Sequence, residues 1–226
     1  MKRARRVLSI FLTLVMVLLA VPFTFAEDVE EPGIELEQDL TWIYDEATRT
    51  MTVSGTGYVH QNEWREYEAS YNIENVIIES GVDVGRWAFL ESNIQTITLS
   101  NSVTSLDGTF CECSNLTKVV IPEGVTAIGE AAFQDCSSLT SITIPGSIKE
   151  IGIGAFAGCE VLEELTILDG VETIETGAFV FCESLETVSI PASVENIGDL
   201  AFAFCSSLES VSVDQDNPVF SSDEEG

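Results

Sequence analysis

Residues 132–156 read AFQDCSSLTSITIPGSIKEIGIGAF, and this pattern returns at a fixed spacing along most of the chain. Two shorter copies precede it, in IENVIIESGVDVGRWAF and LESNIQTITLSNSVTSLDGTF. A period between about 20 and 50 residues is typical of solenoids, in which each unit buries its apolar side chains against the next. The phenylalanine and the cysteine of the pattern recur every 23 residues, at Phe110, Phe133, Phe156, Phe179 and Phe202 and at Cys113, Cys136, Cys159, Cys182 and Cys205.

Each repeat predicts one turn of a solenoid with short parallel strands. The segment L-x-x-V-x-I-P, as in LTKVVIP and LETVSIP, alternates apolar and polar residues like a strand with one buried face. Pro122, Pro145 and Pro191 end this strand, because proline cannot donate to a strand ladder. The V-x-x-I-G segment is then expected to turn the chain. The A-F-x-x-C segment returns it as a compact helical or irregular piece, so residues 73–213 predict about seven turns.

Three segments precede the repeats. Residues 1–26 have a basic start, an apolar run from Val7 to Ala20 and a small-residue ending, which is the layout of a secretory signal peptide. The apolar run is shorter than the roughly 20 residues that span a bilayer, so we expect export with cleavage. Residues 27–39 form an acidic lead-in, and residues 40–72 predict an N-terminal β cap built on a hairpin.

Residues 214–226 predict an incomplete C-terminal segment. The sequence VSVDQDNPVFSSDEEG stops at Gly226 and leaves the last turn without an evident cap. An uncapped solenoid exposes an apolar end and an unpaired strand edge. One expectation is pairing of this end with another copy. The other is a longer surface protein, in which the repeats are a spacer or scaffold and the active or anchoring domain lies beyond Gly226.

The charge of the chain limits its partners. It carries 38 acidic and 9 basic side chains, for a formal net charge of −29 at pH 7. Four of the bases lie in the first six residues, so cleavage would leave a still more acidic protein. Such a surface repels phosphate, so nucleic acid is not an expected partner, and anionic lipid is disfavoured. No membrane span is expected after cleavage.

No catalytic residue, cofactor or metal site is predicted. His60 is the only imidazole, and the chain has no G-x-S-x-G, H-E-x-x-H or phosphate-binding glycine motif. Cys111-x-Cys113 lacks the second pair that a zinc site needs. Residues 214–217, DQDN, lack the glycine and glutamate of a calcium loop and are interpreted as a turn.

The six cysteines allow two interpretations. Adjacent turns bring equivalent positions about 4.8 Å apart, within reach of a disulfide, and export favours oxidation. Five cysteines in one column cannot all pair, however, and the column is expected to face the core. We therefore expect buried thiols, with Cys111 to Cys113 or a neighbouring turn as the disulfide candidates.

Aromatic residues concentrate before the repeats. We interpret them as a cover over the first turn of the stack, with polar tips toward water. The alternative is a flat surface that holds sugar rings. The residues concerned are Trp42, Tyr44, Tyr58, Trp64, Tyr67 and Tyr71.

The unit AFxxCxxLxxVxIPxxVxxIGxxAF resembles the BspA-type leucine-rich repeat of bacterial surface proteins, and residues 40–59 resemble the segment that precedes such repeats. The resemblance implies an α/β-type repeat solenoid of 23-residue leucine-rich repeats with short parallel strands and an N-terminal β-hairpin cap. It also implies a secreted or cell-surface protein, and family members are associated with adhesion to host or matrix proteins and to other cells. We expect no enzyme activity. This sequence departs from the pattern at Asn93, near a cysteine position, and at Glu175, which replaces a glycine.

The outward strand positions predict a strip that binds a protein ligand, such as a host or matrix protein. Repeat proteins bind partners along such regular surfaces. The alternative is that serine and threonine simply suit the wet face of a strand. The predicted strip comprises Thr96, Thr98, Ser141, Thr143, Glu164, Thr166, Thr187, Ser189, Ser210 and Ser212.

Overall fold

The computed structural model describes residues 39–222, which belong to one compact unit, Glu37–Gly226. The predicted signal peptide and nearly all of the acidic lead-in lie outside the described residues. A hairpin of β1 (Asp39–Asp45) and β2 (Thr50–Val59) comes first, with Trp42 paired opposite Val53. One helix, α1 (Gln61–Ser70), follows the hairpin.

Seven parallel strands, one from each repeat, form the first face of the solenoid. They pair in register with the equivalent strand of a neighbouring turn, and β2 pairs with the first of them, so the hairpin begins the stack. Their alternate side chains point into the core, as with Ile142 and Ile144. These strands are β3 (Asn75–Ile78), β5 (Thr96–Thr98), β7 (Lys118–Val120), β9 (Ser141–Ile144), β11 (Glu164–Ile167), β13 (Thr187–Ile190) and β15 (Ser210–Val213).

The V-x-x-I-G segment, which the sequence predicts as a turn, instead contains a second strand. Its isoleucine points inward, and the glycine that follows lets the backbones of adjacent turns approach closely. A Cβ at Gly152 would lie 2.5 Å from the carbonyl carbon of Gly129, which is closer than two carbons can pack. The strands of this second face are β4 (Val82–Val84), β6 (Ser105–Leu106), β8 (Ala127–Ile128), β10 (Glu150–Ile151), β12 (Thr173–Ile174) and β14 (Asn196–Ile197).

The return segment is irregular, and α1 is the one helix within residues 39–222. Backbone hydrogen bonds still join its successive turns: the N–H of Phe133 donates to the Ala155 carbonyl at 2.7 Å. Two positions in each return adopt a left-handed conformation, as at Ala131 (φ 53°) and Asp135 (φ 56°). This conformation directs both N–H groups toward the next turn, where they donate to carbonyls at 3.0 and 2.7 Å.

A ladder of phenylalanine rings forms the centre of the core. Rings from Phe89 to Phe202 stack on one another with centroids 5.0 to 5.6 Å apart. At the N-terminal end, Trp64 of α1 is fully buried and meets the Phe89 ring edge-on at 4.8 Å. The helix therefore covers the first ring of the ladder, as the cap interpretation of the aromatic residues expects.

The segment after β15 folds back against the last turn. The Asn217 side chain donates to the carbonyls of Pro191 and Val194 at 2.9 Å, and it accepts from the N–H of Phe220 at 2.8 Å. Phe220 is partly buried against the core. Residues 214–217 are thus a turn, and the Asn217 amide is engaged in holding it.

We expect Phe156→Ala to lower the free energy of unfolding by about 3–5 kcal/mol, because it leaves a cavity between two stacked rings. Phe204→Ala is the matched control, since this ring is 54% exposed and stacks on Phe181, which is not one of the ladder rings. It should cost about 1 kcal/mol, the scale of one aromatic pair. If urea unfolding shows equal losses of stability in the two variants, the central role of the ladder is contradicted.

Candidate protein-binding face

The first face presents all ten predicted strip positions away from the core. Eight of them are exposed, and Thr96 and Ser210 are partly buried. Strand register aligns them in two columns: Ser141 lies beside Glu164, and Thr143 beside Thr166. Some hydroxyls bond across turns. Ser189 Oγ and Ser212 Oγ lie 3.0 Å apart, for example.

Two members of these columns, Lys118 and Val120, lie outside the strip predicted from the sequence. Lys118 pairs in register with Thr96, and Val120 with Thr98, so β7 continues both columns. The 23-residue spacing already placed them there, but neither carries a hydroxyl, as nine of the ten predicted positions do. Val120 is 63% exposed, the largest fraction among the exposed large hydrophobic residues.

The hairpin extends the second column further. Ile43 aligns with Thr52, Thr52 with Ile77, and Ile77 with Thr98. Ile43 is 59% exposed and Ile77 is 37% exposed. We call Ile43, Ile77 and Val120 the apolar line, and the outward positions of β2, β3 and the later odd-numbered strands, together with Ile43, the strand face.

The strand face is nearly uncharged, although the chain as a whole is strongly acidic. In the columns that run from Thr50 to Ser210 and from Ile43 to Ser212, Lys118 and Glu164 are the charged residues, and Asp45 of β1 lies beside Thr50 at the hairpin end. The remaining outward positions are serine, threonine, asparagine, isoleucine or valine. The acidic side chains therefore lie mainly in the turns and on the other two faces.

Some of these acidic side chains form a column on the return face. Glu91, Glu112 and Asp135 occupy equivalent left-handed positions in successive turns. Burial, followed by the charges of Asp135 and Glu91, raises the pKa of Glu112. Burial also raises the pKa of Asp135, against a hydrogen bond that the Gln134 side chain donates to its carboxylate at 3.3 Å.

The column cysteines are free thiols that satisfy backbone carbonyls. Cys136 Sγ donates to the Phe110 carbonyl, and Cys159 Sγ to the Phe133 carbonyl, both at 3.2 Å. The structure holds no disulfide at Cys111, Cys113 or the other four cysteines, so the disulfide alternative is wrong for it. Each of the five column thiols donates to a phenylalanine carbonyl of the preceding turn.

Ser92, rather than Asn93, takes the cysteine position in the second copy. Its hydroxyl is buried, donates to Glu68 Oε1 at 2.7 Å and accepts from Trp64 Nε1 at 3.1 Å. Ser92 follows Phe89 by three residues, as Cys113 follows Phe110, and the predicted departure at Asn93 lies one residue further on. The hydroxyl joins α1 to the first turn, where a thiol would be a weaker partner.

Burial also makes the thiols poor nucleophiles. It raises the pKa of Cys113 to about 12 and that of Cys205 to about 11, so both are protonated at neutral pH. Across residues 39–222, no group of three or more His, Cys, Asp or Glu side chains is placed to hold a metal ion. Nor does the described part of the chain contain a helix long and apolar enough to cross a membrane.

Three solved structures resemble this fold. A leucine rich cell surface protein from Faecalibacterium prausnitzii A2-165 superposes with a TM-score of 0.65 at 24% identity, over 82% of this chain and 55% of that one. A leucine-rich repeat protein from Bacteroides ovatus gives 0.60 at 25% identity, over 78% and 52%. The pneumococcal vaccine antigen PcpA gives 0.50 at 25%, over 69% and 34%. The chain thus spans about half the length of the first two.

Parallel turns of about 23 residues around one stacked core define a leucine-rich-repeat solenoid. The family model "BspA type Leucine rich repeat region" matches residues 62–145 and 106–223, with six copies. The chain belongs to this family, which confirms the resemblance seen in the repeats. Membership suggests a protein-binding role, and the structural relatives include a bacterial cell-surface protein. No curated protein matches the sequence.

We expect the native protein to react slowly with a thiol reagent and the unfolded protein to release six thiols. Cys205 is the one partly buried cysteine, so it should react first. Cys205→Ser should remove that early phase and leave the others unchanged. A count below six after unfolding without reductant would show that disulfides form.

We expect Asp135→Asn to raise the free energy of unfolding at pH 7, because burial disfavours the ionised form of the Asp135 side chain. The loss of stability caused by the ionised carboxylate appears as pH rises from the ordinary pKa of 3.8 through the raised pKa in the folded protein. The advantage of the variant should therefore shrink as pH falls through the raised pKa of Asp135, and it should be gone below 3.8.

Urea unfolding at several pH values checks this, with Glu123→Gln, an exposed turn residue, as the control. Asparagine also tolerates the left-handed conformation at this position, so the backbone should not be strained. A stability difference between Asp135→Asn and the parent protein that does not change with pH would contradict the electrostatic explanation.

Proposed function

We propose that this chain is an exported cell-surface recognition protein that binds a protein ligand along its strand face, in adhesion to a host protein, a matrix protein or another cell. The observation that carries the proposal is the strand face itself. It is a regular, almost uncharged surface with an exposed apolar line, on a chain with a net charge of −29.

The side chains of this face suit binding because they lose little freedom when a partner covers them. Isoleucine, valine and threonine are branched at Cβ and already hold few rotamers on a strand. Strand ladders fix the backbone beneath them, on both sides at β3 and β5 and on one side at β7. Binding therefore costs less ordering entropy than it would on a surface of long flexible side chains.

The apolar line supplies the centre of the proposed interface. Ile77 and Val120 lie two strands apart, with Thr98 between them, and the aligned isoleucine of β1 extends the same column. Burying such exposed side chains contributes about 25 cal/mol per Å² of apolar area. Charged residues are typically scarce at interface centres, as they are here.

The acidic surroundings favour a partner with a basic rim. Opposite charge around an uncharged contact speeds encounter at low salt and repels acidic competitors. Screening lengths fall to about 8 Å at physiological ionic strength, so this contribution should weaken as salt is added. The partner expected from these features has an apolar centre flanked by lysine and arginine.

Binding of the exported chain to immobilised matrix proteins, measured across salt concentrations, tests the proposal. If a matrix protein binds, Val120→Glu should weaken that binding at least tenfold, because it buries a charge at the apolar line. Ala127→Glu is the matched control, since Ala127 is exposed on the second face of the same repeat. Equal losses in both variants, or binding no stronger than that of an equally acidic control protein, would refute the strand face as the site.

A further inference from the structure

A cavity lies at the N-terminal end of the fold, apart from the strand-face positions. Its volume is about 500 Å³, within the range of small-ligand sites. Three segments meet there: the hairpin turn, the end of α1 and the loop that follows the helix. The residues lining it are Tyr44, Glu46, Arg49, Ser70, Tyr71 and Asn72.

One side of the cavity is aromatic. The Tyr71 side chain is 43% exposed, while its ring lies 4.8 Å from that of Tyr44 and 6.4 Å from that of Tyr67. Tyr67 in turn stacks on Trp42 at 4.4 Å. These neighbours hold the Tyr71 ring in place and leave much of it open to the cavity.

The other side carries hydrogen-bonding groups held in fixed positions. The Tyr44 hydroxyl donates to the Asn72 carbonyl at 3.1 Å, which ties β1 to the loop after α1. Arg49 has a left-handed backbone at φ 52° and pairs through its guanidinium with Glu74. A guanidinium has five N–H donors, so the ion pair leaves others for a ligand.

The charges of the cavity select against anions. Arg49 is already neutralised by Glu74, and Glu46 adds a negative charge at the rim. The chain as a whole is strongly negative, which disfavours nucleotides and other phosphate compounds. A ligand for this cavity should therefore be uncharged, with one apolar face and several hydroxyl groups.

We propose that this cavity binds a neutral carbohydrate. One face of the sugar ring lies on the Tyr71 ring, and its hydroxyls bond to Glu46, Arg49 and the Ser70 hydroxyl. Aromatic rings with a polar rim suit such ligands, because sugars carry C–H groups on one face and hydroxyls around the edge. This site is separate from the strand face, so either proposal can fail without the other.

Saturation-transfer NMR of the folded chain tests the site with glucose, galactose, N-acetylglucosamine and their β-linked disaccharides as probes. We expect saturable binding of at least one neutral sugar, and a disaccharide should bind more tightly than its monomer if the cavity holds more than one ring. N-acetylneuraminate, which is acidic, should bind at least tenfold more weakly. Absence of saturation with every probe, or preference for the acidic sugar, would overturn the proposal.

Variants then locate the binding. Tyr71→Ala should weaken it at least tenfold, and Tyr71→Phe, which keeps the ring, should retain it within about threefold. Glu46→Ala changes only an exposed turn residue and should weaken binding measurably without affecting the fold. Tyr58→Ala is the control, because Tyr58 is 39% exposed on β2 but does not line the cavity.

Thermal unfolding of each variant verifies that it is folded. An equal loss in Tyr58→Ala and Tyr71→Ala would overturn the assignment, as would unchanged binding in both Tyr71→Ala and Glu46→Ala.

Discussion

The spacing between adjacent turns is the constraint on which the rest of this structure depends. Backbone ladders fix parallel strands about 4.8 Å apart, and the core rings stack at 5.0 to 5.6 Å, which is nearly the same distance. One side chain from each turn can therefore lie directly over its counterpart without a gap. A single repeat cannot bury its own apolar residues, so each turn is stable only because its neighbours are present.

The same spacing explains the less obvious residue choices. The carbonyls of Phe110, Phe133 and Phe156 already accept a backbone N–H within their own turn, and the column cysteine of the next turn donates a second hydrogen bond to each of them. A small, weakly polar side chain fits where a lysine or a glutamine would need more room and further partners. At Ser92 the hydroxyl has stronger bonds to make, since it joins Trp64 and Glu68 of α1.

The spacing between turns does not fix the identity of the outward side chains, and the proposed binding sites are built from these side chains. The strand face is free to be uncharged and β-branched because the core is built from the alternate residues of the same strands. The hairpin contributes to both proposed sites. It extends the apolar line through Ile43, and its turn forms one wall of the cavity beside Tyr71. A segment that begins the stack thus also adds surface chemistry that the repeats lack.

The sequence by itself determined the repeat length, the inward columns and the hairpin, because a strict 23-residue spacing dictates which side chains must lie over one another. It also located most of the strand face, although Lys118 and Val120 lie outside the predicted strip. Only the tertiary structure decided that the V-x-x-I-G segment is a strand, that the cysteines bond to carbonyls and that Tyr44 and Tyr71 share a cavity. These features depend on backbone angles and on contacts between residues more than 20 positions apart, and no local pattern of residue types specifies either.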